Sequence, residues 1–470
     1  MSERVRWLDG DDHRASRCAC CGDTRENVEL LQAAHWLEGR PALTLVRCGG
    51  CQSAFFVEED AHADYPTHSL DDPNFTLLLH HYIELVSGLS WKLRLLEQMP
   101  FGRFRSVLEL GCNVGVALDY CATAWNADVV GLEPSSYGEG GRKLLGLPIL
   151  QSKLEDCEEI RGRKFDFVFA TEVIEHIAKP VDVLTDIRQR LAPGGVMLLT
   201  VPTAENVRRD AEPGELYATL SAGAHYFVPS ERAIREMVHA AGFPHVQRWR
   251  YGNSQVVVAS LVQMQIPALP GYDERACRYF EHRLKKPESD ARVRLAHQID
   301  LYESSLAIGR TAGLDALGAH IDRDLISQFG LHVDDFEALD AALSSTKNIF
   351  DFGRITPYGL PKYLRGRANH EDDPYFHALC ALVCVHGLRV DYQNLYVYHQ
   401  RLRWALDALA GEVPTRRATE VLAAVMRELS QVPELREMLI EPPASRKGTG
   451  LGLRKRLWAL ANRFVGNRTR

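Results

Sequence analysis

Two sets of residues in the first half of the chain have the types and spacing to do chemistry. Cys18-x2-Cys21 and Cys48-x2-Cys51, separated by 26 residues, offer four thiolates on two short turns. Four soft ligands in that pattern suit a tetrahedral zinc ion, and a closed four-cysteine shell leaves no open coordination position. The metal's expected work is therefore to fold a small domain. Cys20 nearly duplicates Cys21 and is read as a bystander; the alternative is free thiols that happen to fall at this spacing. The second set lies in "VLELGCNVGVALDY", residues 107–120. Gly111, Asn113 and Gly115 make a turn that lets backbone approach a ligand just before a helix begins. Glu133 closes the next apolar run, "DVVGLE", 22 residues after Gly111, where a carboxylate accepts the two ribose hydroxyls of an adenine nucleoside. A dinucleotide fingerprint counted from Gly111 requires glycine at 113 and 116, and Asn113 and Val116 stand there, which argues against a pyrophosphate ligand.

The elements that must position these residues follow from periodicity. Residues 75–99 read as a helix, with apolar positions recurring at three and four. From about 105 to 265, short apolar strands alternate with amphipathic helices, the pattern of a mostly parallel sheet covered on both faces. "IPALPGY", residues 266–272, is a linker, because two prolines and a glycine suit neither element. The following 170 or so residues are almost wholly helical, with a break around "RITPYGLPKYLRG". The expected organisation is a four-cysteine domain over 1–75, an α/β domain with its leading helix over 76–265, an α-helical domain over 266–440 and a basic tail over 441–470.

Composition bounds the function. With 470 residues, 46% apolar and 25% charged, the chain is globular and large enough for two to four domains. No run is long and apolar enough to span a bilayer, and "MSERVRWLDGDD" has no apolar signal core, so a cytoplasmic location is expected. Eleven cysteines in a reducing compartment bind metal or pack as small apolar groups. The net charge of -7 hides an asymmetry: residues 442–470 hold eight Lys/Arg and no acid, leaving -15 for the rest once those eight are set aside. Such a body is a poor nucleic-acid binder, and no nucleic-acid partner is expected.

The glycine turn resembles motif I of the class I S-adenosylmethionine-dependent methyltransferases, an acid followed by G-x-G-x-G, here Glu109, Gly111, Asn113 and Gly115. Asn113 departs from the middle glycine, and asparagine is well suited to a left-handed position. "KFDFVFATEVIEHIAKP" (164–180) resembles the family's fourth strand with its E-V-x-E-H ending. "LTDIRQRLAPGGVMLLTVP" (184–202) and "HYFVPSERAIREMVHAAGF" (225–243) resemble the segments that follow. The resemblance implies a Rossmann-like seven-stranded methyltransferase sheet, with S-adenosylmethionine held by Glu109, Gly111, Asn113, Gly115, Glu133 and Glu172. Lys153 stands where many members place an acid for the adenine amine, which moves that contact to backbone near Leu154.

With this cofactor the protein mainly aligns a nucleophile with an electrophilic methyl group and excludes water. A hydroxyl acceptor must also lose a proton, and His176 and His225, each just after a strand at the ligand-binding edge, are the catalytic candidates. A structural role in their loops is the alternative for both, and Glu175 reads as a carboxylate that fixes its own loop. A four-cysteine ribbon joined to this domain resembles bacterial methyltransferases of sugars and cell-surface polysaccharides. That resemblance points to a sugar hydroxyl on a glycan or on its nucleotide- or lipid-linked precursor. A quinone or other phenolic acceptor, and a non-catalytic cofactor-binding protein, remain open.

Elsewhere the bland reading is preferred. Cys380 and Cys384 sit on an apolar helix as core residues, and "HEDD" at 370–373 is a helix-start acid cluster. In the tail, Leu453, Leu457, Leu460 and Phe464 share one helical face with basic residues away from it, a pattern that rests on an anionic membrane surface through residues 453–465.

Overall fold

The computed structural model describes residues 4–432, apart from 11, 25, 38, 59–67, 87–90, 100–103, 212, 265–271, 287–289, 392–394, 396 and 412–414. The basic tail and its expected membrane face therefore lie outside the described residues. The chain divides into two compact units: residues up to Leu70 with Leu95–Leu269, and Asp71–Arg94 with those from Pro270 onward. Among the described residues no helix is long and apolar enough to cross a membrane.

The first unit begins with strands β1 (Val5–Trp7), β2 (His13–Ala15), β3 (Glu26–Ala33), β4 (Leu43–Arg47) and β5 (Ala54–Phe56). They form an antiparallel sheet in the order β1-β3-β4-β5, with β2 on the other part of β3. Two helices follow, α1 (Pro73–Val86) and α2 (Trp91–Leu96). The one helix expected over 75–99 is thus two, and α1 belongs to the second unit rather than leading the α/β domain. The reason is polar as well as apolar. Glu84 of α1 is buried, pairs with the Arg292 guanidinium and accepts the Gly359 N–H at 3.0 Å, while His80 sits 3.0 Å from Asp290. A buried carboxylate is held where its cation and donors are.

The second sheet is built from β6 (Ser106–Leu110), α3 (Val116–Ala124), β7 (Asp128–Leu132), α4 (Ser136–Leu145), β8 (Ile149–Leu150), β9 (Phe165–Thr171), α5 (Pro180–Arg190) and β10 (Leu191–Pro202). The chain continues through α6 (Pro213–Leu220), β11 (Phe227–Val228), α7 (Glu231–Ala240), β12 (His245–Tyr251) and β13 (Ser254–Ser260). Seven strands run in the order β12-β13-β10-β9-β6-β7-β8, parallel from β10 to β8 and closed at one edge by an antiparallel hairpin. Parallel strands buried on both faces read as continuous apolar runs, as "FVFA" in β9 and "VMLL" in β10 do. The strand order reverses between β6 and β9, and a reversal leaves a crevice at the carboxyl ends of those two strands. β11 is not in this sheet. It pairs antiparallel with β5, Phe227 opposite Phe55, and so joins the cysteine-bearing sheet. Residues up to Leu70 and Leu95–Leu269 thus form one unit, where separate domains over 1–75 and 76–265 are expected from the sequence.

The second unit holds α1 and α8 (Tyr272–Lys285), α9 (Ala291–Ala307), α10 (Leu314–Phe329), α11 (Phe336–Ser344), α12 (Ile349–Ile355), α13 (Leu360–Glu371), α14 (Pro374–Val390), α15 (Val397–Gly411) and α16 (Arg416–Leu429). Helix α14 is buried from Tyr375 to Leu388, with α13, α15 and α16 packed around it, so Cys380 and Cys384 are core residues. Of the "HEDD" expected to start a helix, only Asp373 does, capping α14 by accepting the Tyr375 N–H at 2.9 Å; His370 and Glu371 end α13 and Asp372 is its C-cap.

Candidate active site

The turn after β6 lies at the crevice. Gly111, Asn113 and Gly115 all have positive φ, 61°, 53° and 81°. A side chain on Gly111 would put its Cβ 2.5 Å from Val173 Cγ2, and one on Gly115 would meet Leu147 Cδ1 at 2.7 Å. Bare backbone at Gly111 is what lets the loop after β6 lie against the loop after β9. The Gly111 and Cys112 N–H groups both donate to the Leu132 carbonyl, at 2.8 and 3.2 Å. Asn113 earns its left-handed position by a local bond, its Oδ1 accepting the Val114 N–H at 2.7 Å.

Glu133, at the end of β7, spans this loop and the next. Its Oε2 accepts the Asn113 N–H at 2.9 Å and its Oε1 the Ser135 N–H at 3.0 Å. Each carboxylate oxygen has a second lone-pair site, so the group that shapes the cradle still has acceptor capacity for two ribose hydroxyls. Glu109 is wholly buried in β6, near enough to Cys121 of α3 to add to the rise of that thiol's pKa, which burial itself dominates. Leu154 contributes a buried side chain, and its carbonyl accepts from the Arg190 guanidinium at 3.1 Å, which leaves one lone pair there for an adenine amine.

Two residues escaped the sequence reading. A Cβ on Gly141 of α4 would stand 2.5 Å from the Val114 carbonyl oxygen, and one on Gly138 would stand 3.0 Å from Glu133 Cβ. Helix α4 thus closes directly onto the loop after β6 and onto Glu133. The available signal was the glycines themselves, since each costs a helix interior about 1 kcal/mol and is kept for a close approach.

The loop after β9 supplies the other half. Glu172 has φ 56°, uncommon for a residue with a side chain, and its N–H donates to the Thr200 carbonyl at 3.0 Å. A single 3-10 turn, Ile174–His176, follows. His176 Nδ1 lies 2.9 Å from the Ala224 carbonyl and His225 Nδ1 lies 3.0 Å from the Thr219 carbonyl. A carbonyl only accepts, so each Nδ1 carries the proton and each Nε2 presents a lone pair. The two rings meet edge to face with centroids 4.6 Å apart. His225 Nε2 is 3.9 Å from Oε1 of Glu175, which is fully buried. Among the described residues neither Glu175 oxygen accepts a hydrogen bond; only its backbone carbonyl fixes the loop, taking the Tyr226 N–H at 2.8 Å. The side chain expected to hold its own loop instead faces the histidines. Burial raises the Glu175 pKa well above the carboxylate range, with the Glu172 charge adding to it, and burial lowers that of His176.

The four cysteines converge as their spacing anticipates. Cys18 and Cys51 sulfurs are 3.6 Å apart, Cys21 and Cys48 sulfurs 3.7 Å, and all four lie within 4.8 Å of one another. Zn–S bonds near 2.3 Å in a tetrahedron place sulfurs about 3.8 Å apart, so the set fits that ion. Gly50 donates its N–H to Cys48 Sγ at 3.3 Å, as a knuckle turn does. This sheet also holds the His225 segment: Trp36 N–H donates to the Ala222 carbonyl at 2.9 Å, and Gly223 leaves no room for a Cβ beside the His35 ring.

The family described as "Methyltransferase domain" matches residues 79–248. A tRNA U34 carboxymethyltransferase of Desulfotalea psychrophila is 29% identical over 164 residues, 33% of this chain and 50% of that protein. One from Klebsiella pneumoniae is 30% identical over 170 residues, 34% of this chain and 49% of that protein. The chain spans about half the length of these curated relatives. Among solved structures, an O-methyltransferase family protein from Burkholderia thailandensis aligns with a TM-score of 0.34 and 16% identity, over 39% of this chain and 57% of that one. Residues 79–248 of the chain therefore match a methyltransferase domain.

Proposed function

We propose that this protein transfers a methyl group from S-adenosylmethionine to a hydroxyl, most specifically a sugar hydroxyl of a glycan or of its nucleotide- or lipid-linked precursor. The observation that carries the transfer is the meeting of two loops at Gly111 and Val173, which sets a nucleoside cradle against the segment bearing Glu175 and His176. The cofactor brings an electrophilic methyl group. Glu133 and the backbone of 111–115 hold the nucleoside, and the Nε2 of a histidine beside a buried carboxylate receives the acceptor's proton. The four-cysteine set holds structural zinc and steadies the His225 segment.

The sugar acceptor rests on the pairing of a cysteine ribbon with this domain and on the negative charge of residues 1–441, which opposes a phosphate backbone. The names of the curated relatives favour a second reading, modification of tRNA at U34. One experiment separates them. Purified protein is given methyl-labelled S-adenosylmethionine with nucleotide sugars, lipid-linked saccharides, phenols and unmodified tRNA in turn, and the tRNA arm is repeated with a labelled carboxymethyl sulfonium donor, because a methyl sulfonium cannot deliver a carboxymethyl group. Label in a saccharide supports the proposal, label in tRNA replaces it with the second reading, and label in a phenol moves the acceptor class. Binding of cofactor with no label in any acceptor leaves only a cofactor-binding protein.

A further inference from the structure

We propose that the basic tail of this chain docks, through residues 453–465, in a groove between α11 and α16 of the helical unit. The groove encloses about 490 Å³. Phe336 and Ala341 of α11 and Ala423 and Ala424 of α16 make its apolar part. Along α16 the lining residues Glu420, Ala423, Ala424 and Arg427 recur at three, four and seven and so share one face, while Val421, Leu422 and Val425 are buried in the unit's core. Ala341 and Ala423 are exposed. Side chains that small let a third helix approach two others at the short end of the usual interaxial range of about 8–10 Å.

The walls are acidic. Glu337, Asp340 and Glu420 line the groove, and Arg427 bridges the two helices by donating to Asp340 Oδ2 at 2.5 Å. Three acids against that one arginine leave the lining net negative. Glu420 also meets Arg416 at 3.1 Å, an exposed pair one helical turn apart that contributes little and exchanges easily for another cation.

Three properties of residues 433–470, which lie outside the described residues, select them as the occupant. The first is charge, since residues 442–470 hold eight Lys/Arg and no acid. The second is spacing. Leu453, Leu457, Leu460 and Phe464 step by four, three and four, as alternating a and d positions of a coiled-coil seam do. On that register the flanking e and g positions are Arg454, Arg456, Ala461 and Arg463, three of them cations for the acidic walls. A stripe so narrow fits between two helices, whereas a helix lying on a bilayer buries a broader apolar face. The third is reach. Residues 433–452 span up to ~66 Å when extended, and Glu420 stands only ~14 Å along α16 from its end at Leu429. A tether that spans such a gap holds its end at about millimolar effective concentration, so a contact too weak to hold a separate molecule is populated within one chain. Docking covers the exposed alanines, offsets the acids and withholds the seam from lipid.

The test uses the full-length chain with a benzophenone amino acid in place of Leu457, irradiated and mapped by mass spectrometry. Attachment to residues 336–341 or 420–427 of the same chain is expected, with a yield independent of protein concentration. Ala423→Arg, and separately Ala341→Arg, should cut that yield at least about tenfold by overfilling the groove. Should either variant melt early, the attachment map of the unaltered groove decides. Attachment elsewhere in the chain overturns the proposal, as does attachment to a second chain with a yield that rises with concentration. No attachment in buffer also overturns it, and cosedimentation with phosphatidylglycerol vesicles then assigns the tail to a membrane surface. Groove attachment that those vesicles abolish supports it and makes lipid a competitor for the same seam.

Discussion

Ser230 links the cysteine knuckles to the helix behind His225: its hydroxyl donates to the Cys51 carbonyl at 2.6 Å and accepts the Ala233 N–H at 3.1 Å. The Ser230 N–H in turn donates to Ser53 Oγ at 3.0 Å. One side chain thus caps α7 and ties the strand pair β5 and β11 to a thiolate turn. Ser230→Ala should lower stability by about 1–2 kcal/mol, the usual loss of an N-cap. Transfer rate should fall more than cofactor affinity does, because His225 lies on the tethered segment and Glu133 does not. Equal loss in both, by titration and initial rates, would refute the tether.

Metal analysis tests the knuckles. The proposed content is one zinc per chain, reduced by Cys48→Ser, whose sulfur also receives the Gly50 N–H. Loss of the ion should cost more than about 5 kcal/mol, since a structural zinc site contributes its binding energy to folding. A chelated protein with an unchanged melting temperature would return the four thiols to ordinary core packing.

Glu133→Ala removes the acceptor of two loop N–H groups and of the proposed ribose contacts. The dissociation constant for S-adenosylmethionine should rise about 100-fold, in keeping with charged hydrogen bonds of about 1.5–3 kcal/mol. Glu133→Gln should lose less, because its amide still offers one acceptor. Calorimetric titration reads both, and an unchanged affinity in the alanine variant would place the cofactor elsewhere.

Gly141→Ala tests the closure of α4 on the loop. Alanine favours helix by about 1 kcal/mol, but its Cβ would meet a backbone oxygen at 2.5 Å that has no rotamer by which to yield. The net result should be destabilisation of about 1–3 kcal/mol with weaker cofactor binding. Urea unfolding with a higher midpoint would show that the contact is not tight.

The helical unit should be acid-sensitive through His297. Burial, with the charges of Arg283 and Lys362 beside it, pushes its pKa from 6.5 down to about 3. Between those values the unfolded chain binds the proton and the folded one does not. Stability therefore rises with pH across this window and is lost as pH falls from 6.5 towards 3, by up to about 1.4 kcal/mol per pH unit. His297→Leu should flatten the pH dependence of the unfolding midpoint by about one proton. An unaltered slope between pH 7 and about pH 4 would remove His297 as the cause.

Much of the site could be read along the chain because its signals are local. A left-handed turn advertises itself as Gly111, Asn113 and Gly115, a strand end as an acid such as Glu133, and a thiolate knuckle as Cys-x2-Cys. Each depends on a few neighbouring backbone angles or on two ligands of one turn, so spacing carries the information. The helix at 75–99 was misread for the opposite reason. Its periodicity is correct for α1 and α2, but Glu84 finds Arg292 and Gly359 far away in sequence, and no local pattern reports such partners.

Residue types and their order thus determined the parallel sheet, the left-handed turn at Gly111, Asn113 and Gly115 with Glu133 beside it, and the cysteine set. Tertiary structure alone decided that Glu175 turns from its own loop towards His225, that Gly138 and Gly141 press α4 on the cradle, and that β11 joins the cysteine-bearing sheet. These are contacts between distant segments, chosen by which buried charge or bare backbone finds a complementary surface once the sheet has formed. Local propensity is blind to that choice because it is made by packing, after the elements themselves exist.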